Sequence, residues 1–205
     1  VSGTSGRTSV YGDAEARRRR TLDVAAELLD EGGYAALTIR AVAERAGTST
    51  GLIYTYFADK QDIFVALLEE SQIESAAVVA AAPRADGVAA LLEAVIPDAA
   101  RQWRRVLRMT GAWRDTTRTR ERDERASVQR LRVSSERYLD ELNRAIGEAA
   151  RAEGRALRDD PAMLRFVVSG LTGVSDALVN QWDEDLDPAA LIAFTAAAIA
   201  RGITA

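Results

Sequence analysis

Apolar residues recur three and four apart along most of the chain, the period of helices with one buried face. Leu22, Ala25, Ala26 and Leu29 form one such stripe, opposite an acidic face of Asp23, Glu27, Asp30 and Glu31. The spacing predicts a helix from about Glu15 that ends at Gly32-Gly33. Thr38 is placed to cap a short helix through about Ala46, and Ser49 to cap another through about Tyr56, with Gly47 as the break between them. Asp59 then caps a long helix that carries Ile63, Phe64, Leu67 and Leu68 toward a core.

The rest of the chain also reads as helical. Pro83 to Gly87 is a break with Asp86 as the next cap, and Pro97 interrupts or kinks the helix that follows. Trp103, Val106, Leu107, Thr110 and Trp113 share one face, and Arg118 to Arg125 is a mixed-charge helix face or turn. Val128, Leu131, Ser135, Tyr138, Leu142, Ala145 and Ala149 mark a long amphipathic helix that ends at Gly154. Asp160-Pro161 and Asp187-Pro188 each join an N-cap to proline at the first helical position. They predict final helices over about 161–182 and 188–202. The fold class expected is all-α, with about nine helices: a tail at 1–14, a three-helix head at 15–60 and a helical body at 61–205.

Composition removes whole classes of chemistry. The 205 residues include no cysteine and no histidine, which excludes disulfides, thiolate nucleophiles, the Ser-His-Asp triad and His-ligated metal sites. No catalytic residue, metal site or cofactor is expected. Net charge is −4, and residues 1–60 hold eight basic and eight acidic side chains, so nucleic-acid contact would need local clustering. No apolar run suits a membrane span, and Val1 to Gly12 lacks the apolar core of a signal peptide, so a cytoplasmic protein with a flexible tail is expected.

Residues 38–60 have the layout of a helix-turn-helix. Ala43 is small at the helix crossing, and Gly47 suits a turn of positive φ. Val42, Ala46 and Ile53 point into the small core. Thr48, Ser49, Thr50 and the bare backbone of Gly51 face outward, where short side chains let a helix sit deep in a major groove. Tyr54 and Tyr56 follow, and Lys60 with the next helix N-terminus forms a phosphate clamp. On spacing alone, DNA binding and a packed helix pair remain equal readings; Phe57 reads as core.

The stretch from Thr38 through Ala46-Gly47-Thr48-Ser49-Thr50-Gly51-Leu52-Ile53-Tyr54-Thr55-Tyr56-Phe57-Ala58-Asp59-Lys60 resembles the DNA-binding signature of the TetR family of bacterial transcriptional repressors. Ala25-Ala26, Leu28-Leu29 and Gly33-Tyr34 extend the likeness, which covers roughly residues 15–70. Thr48 departs from the apolar residue usual there, and Asp59 from the frequent serine. The resemblance implies that Thr38 and Arg40 contact backbone or base edges, that Thr48, Ser49, Thr50 and Gly51 lie at the groove, and that Tyr54, Tyr56 and Lys60 hold phosphates. Arg17, Arg18, Arg19 and Arg20 either reach DNA or form a solvated basic tail.

A lone head reads few base pairs, whereas a symmetric pair reads half-sites about 34–36 Å apart or multiples of a turn. The resemblance implies a homodimer on a double-stranded operator, seamed by the last two helices through Leu164, Val168, Leu171, Leu178, Leu191, Phe194 and Ala198, with Gly170 and Gly173 allowing close approach. Without it, a reading as intramolecular core helices stays open as the lesser alternative. It also implies a small-molecule effector in the middle helices, where Trp103, Met109, Trp113, Tyr138 and Phe166 line a pocket or simply fill core. Arginines between Arg101 and Arg132 suit an anionic effector or a solvated face. The alternative function is a helical protein-interaction domain without DNA binding.

Overall fold

A computed structural model describes the backbone of residues 6–116, 126–181 and 185–205, and the side chains of 13–104, 126–181 and 185–205. Among the described residues the chain is all-α, close to the expected count, with eight helices in the order α1 (Gly6–Ala36), α2 (Ile39–Ala46), α3 (Thr50–Tyr56), α4 (Lys60–Ala81), α5 (Gly87–Thr116), α6 (Ala126–Ala152), α7 (Met163–Asn180) and α8 (Pro188–Ile203). Residues 1–5 of the expected tail and the Arg118–Arg125 run lie outside the described residues.

Local chemistry sets the boundaries. The α1 helix kinks at Gly33, whose φ of 66° and ψ of −164° cost glycine little, so the Gly32-Gly33 signal marks a real break. Thr38 Oγ1 accepts from the Ala41 amide at 3.1 Å, and Gly47, left-handed at φ 66°, ends α2. Ser49 Oγ accepts from the Leu52 amide at 3.2 Å and starts α3. Ahead of α4, Asp59 Oδ1 accepts from the Asp62 amide at 2.9 Å while Asp62 Oδ2 accepts from the Ala58 amide at 3.1 Å, a reciprocal cap.

Local geometry bears on two further expectations. The α5 helix continues through Pro97 without interruption; the proline is exposed, where water can take the carbonyl it leaves unpaired. Asp187-Pro188 caps α8 as expected, but Asp160-Pro161 does not start α7. Asp160 instead closes a turn, accepting from the Ala162 amide at 2.7 Å and through its carbonyl from the Met163 amide at 3.0 Å. The α7 helix begins two residues late, at Met163, without a side-chain cap.

The chain divides into two units, Val1–Leu68 with Arg108–Gln129, and Glu69–Leu107 with Arg130–Ala205. In the first, Leu22, Ala25, Leu29, Leu37, Val42, Ile53, Phe57 and Ile63 are buried, joining α1, α2 and α3 to the start of α4. In the second, Leu91, Leu92 and Ile96 of α5 pack with Leu142 and Ile146 of α6, Val167 of α7, and Ile199 and Ile203 of α8. Each such fully buried side chain contributes about 1.5–3 kcal/mol. An antiparallel bridge pairs Leu157 with Thr204 and holds the end of α8 against the α6–α7 connection.

Candidate functional site

The first unit presents the outer face of α3. Ile53 turns inward at 0% exposure, while Thr50, Gly51 and Tyr54 are exposed to solvent. Tyr54 is 57% exposed, and a Cβ on Gly51 would meet nothing nearer than Ser49 Oγ at 3.8 Å. Ser49, Thr38 and Arg40 are exposed as well, while Thr48, Tyr56 and Lys60 are half-buried. The hydroxyls of Thr38 and Ser49 already accept backbone amides, which holds them at fixed positions on the rim of α2 and α3. Phe57, at 3% exposure, is core, as expected.

The arginine cluster is more committed than a loose basic tail. Arg18 reaches Glu15 at 3.7 Å and lies 5.6 Å from the centre of the Phe57 ring. Arg19 pairs with Asp23 at 3.1 Å. Arg20 donates to the Ala46 carbonyl at 3.3 Å, closing the C-terminal end of α2 against α1. Arg17 is exposed.

The Lys60 ammonium lies 4.2 Å above the centre of the Tyr34 ring, a contact the sequence reading missed. Tyr34 is buried and meets Phe64 edge to face at 5.6 Å. Burial, with the Asp59 charge second, pushes the Tyr34 phenol up. The expected clamp is therefore altered, because Asp59 already occupies the Asp62 amide and Lys60 rests on an aromatic face.

The second unit holds a cavity of about 240 Å³ lined by Gln72 and Ser75 of α4, Ala99, Gln102 and Trp103 of α5, Tyr138 of α6, and Val168, Leu171, Thr172 and Ser175 of α7. Trp103 Nε1 donates to Asp176 at 2.9 Å, and Ser75 donates to the buried Asp98 at 3.1 Å. Asp98 also pairs with the exposed Arg101 at 2.8 Å. Burial, then the Asp98 charge, pushes the Tyr138 phenol up to about 12. Gln102 Oε1 and Ser175 Oγ are buried without a hydrogen-bond partner.

Of the expected pocket residues, Trp103 and Tyr138 meet in this lining. Phe166 does not; it is 51% exposed and packs beneath Gly202. Met109 and Trp113 have side chains outside the described residues. Of the expected seam residues, Leu171 is buried and Val168 lines the cavity, so both are spent inside the chain. Gly170 likewise admits Ile199 of α8, within 2.7 Å of where a Cβ would stand. Phe194, at 69% exposure, stays on the surface, and Leu164, Leu178, Leu191 and Ala198 are half-buried. The polar lining was missed because lone serines and glutamines on amphipathic helices resemble solvated positions. One signal was available: Ser71, Ser75 and Val79 are spaced four apart on one face of α4, and all three are buried.

A capped helix-turn-helix with an open outer face is the geometry of DNA-reading heads, and the second unit holds a cavity. Residues 22–67 match the family described as bacterial regulatory proteins, tetR family. The chain is 46% identical over 52 residues to the HTH-type transcriptional repressor KstR of Rhodococcus jostii, covering 25% of this chain and 24% of that protein. The match thus spans about a quarter of that relative's length. A protein of unknown function from Rhodococcus sp. RHA1 shares the fold with a TM-score of 0.72 at 18% identity, over 92% of this chain and 96% of that one. A TetR transcriptional regulator from the same source superposes with a TM-score of 0.59 at 22% identity, over 91% and 97%. Residues 22–67 thus resemble the DNA-binding head of the tetR family, and the chain shares its fold with solved TetR regulators.

Proposed function

We propose that the protein is a transcriptional repressor that binds a palindromic operator as a homodimer and is released by a small-molecule effector. The outward face of α3 carries the reading: a glycine flanked by Thr50 and Tyr54, on a helix fixed by the Ser49 cap. Base edges would meet Thr50 and the Gly51 backbone, while Tyr54, Arg40 and Arg17 would meet phosphates. The exposed Phe194 and Phe166 of α8 and α7 supply apolar surface for a second copy. The cavity would hold the effector, and its occupation would move the α4–α7 walls, so that the two heads no longer fit the operator spacing.

No catalytic step enters this reading, and the protein would act in the cytoplasm, where its operator is. No helix among the described residues is long and apolar enough to cross a membrane. Sequencing of DNA fragments selected by the purified protein tests the proposal. The expected result is an inverted repeat whose half-sites stand about one turn, or a multiple, apart. Fragments without a shared repeat would overturn it.

A further inference from the structure

Where α1 ends and α4 begins, the head is joined by contacts that operator reading does not use. Lys60 is the first residue of α4, and its ammonium stands 4.2 Å above the centre of the Tyr34 ring. Phe64, one turn further along α4, meets the same ring edge to face at 5.6 Å. Tyr34 is 4% exposed and Phe64 2%, so α4 holds the ring at two points. The ring belongs to the residue just past the Gly33 kink of α1. Its hydroxyl is buried with no hydrogen-bond partner among the described residues, so the joint is made by the ring and not by the hydroxyl.

A phosphate arriving at this helix end would find it already served. Asp59 accepts from the Asp62 amide at 2.9 Å, and Asp62 accepts from the Ala58 amide at 3.1 Å. These two carboxylates stand where free N–H groups and the helix dipole would otherwise favour an added anion. To reach a phosphate, Lys60 would give up its aromatic face for a contact made beside two negative charges. Other cations of the head are held differently. Arg19–Asp23 and Arg45–Glu31 are pairs of exposed side chains, which contribute little and part easily. Arg17 and Arg40 are exposed, whereas Lys60 is half-buried. Only Phe57, Ala58 and Asp59 separate α3 from α4, and Phe57 is core, so a shift at the start of α4 passes straight into α3.

Resting on the operator reading above, we propose that Lys60 is a positioning residue: seated on Tyr34, it pins the start of α4 to the end of α1, fixes the angle at which α3 meets the groove, and neutralises no phosphate. Titration of the full chain against its selected DNA at several salt concentrations tests it. Lys60→Met keeps the aliphatic stem and removes the charge. It weakens operator binding about fivefold, the scale of one cation–ring contact, and leaves the log–log salt slope unchanged. Tyr34→Leu weakens binding by a similar factor with Lys60 in place, and Tyr34→Phe, which keeps the ring, restores it. Adding Lys60→Met to Tyr34→Leu costs nothing more. A slope flattened by about 0.9, as the loss of one phosphate contact gives, overturns the assignment. Unchanged affinity in Lys60→Met, or effects of the two substitutions that simply multiply, also overturn it. If Tyr34→Leu fails to fold, the affinity and slope of Lys60→Met decide alone. Wild-type protein that selects no shared repeat sinks the operator reading. The pin is then read from the same pair of substitutions in urea melts, where coupling keeps it and additivity overturns it.

Discussion

Single side chains set opposite demands in the two units. Gly51 is exposed on α3 with open space where a Cβ would stand, so Gly51→Ala stabilises the free protein by about 0.5–1 kcal/mol in urea melts. The same methyl stands on the face proposed for the groove, and operator affinity falls by about the 1–3 kcal/mol that one mismatched base pair costs. Equal operator affinity in the variant would move the reading surface elsewhere. Arg40→Ala weakens binding across all sequences and flattens the log–log salt slope by about 0.9, measured by titration at several salt concentrations. At Tyr138, the buried phenol keeps its proton up to about 12, whereas the unfolded chain loses it near 10. The resulting stability is complete below pH 10 and disappears as pH rises through about 12. Tyr138→Phe removes that part of the alkaline loss in melts across this range, and the part due to Tyr34, shifted the same way, remains.

At the scale of elements, what could be read in advance was whatever one short stretch decides. Thr38, Gly47 and Ser49 act on amides or turns within a few residues, and each does in the structure what its position predicts. Asp187-Pro188 belongs with them, and Asp187→Ala costs about 1 kcal/mol in a urea melt through loss of the bond to the Ala189 amide. Asp160-Pro161 has the same two letters but closes a turn, because the chain there is also held by the Arg158 amide on the Ile203 carbonyl at 2.8 Å. That constraint arrives from the far end of the body, beyond any local pattern. The cavity was hidden for a similar reason. Four helices contribute to its lining, so Ser175 and Gln102 acquire meaning only once α4, α5, α6 and α7 have met. The apolar positions of α7 and α8 were legible too, but periodicity could not say that Leu171 faces inward while Phe194 faces out.

For the whole molecule, the proposed dimer rests on the outward residues of α7 and α8. Phe194→Glu puts a charge on a side chain that is 69% exposed, so the single chain folds with little change. Sedimentation then gives monomer, and operator affinity falls with the loss of paired half-sites; an unchanged dimer would place the seam on another face. One helix serves both ends of this scheme. Val168, Leu171, Thr172 and Ser175 of α7 wall the cavity, while Phe166 of the same helix lies exposed. A rigid rod with a guest on one flank and a twin on the other cannot be nudged in private. Filling one chamber would alter the vacancy next door, and the cell would see a threshold in place of a graded response.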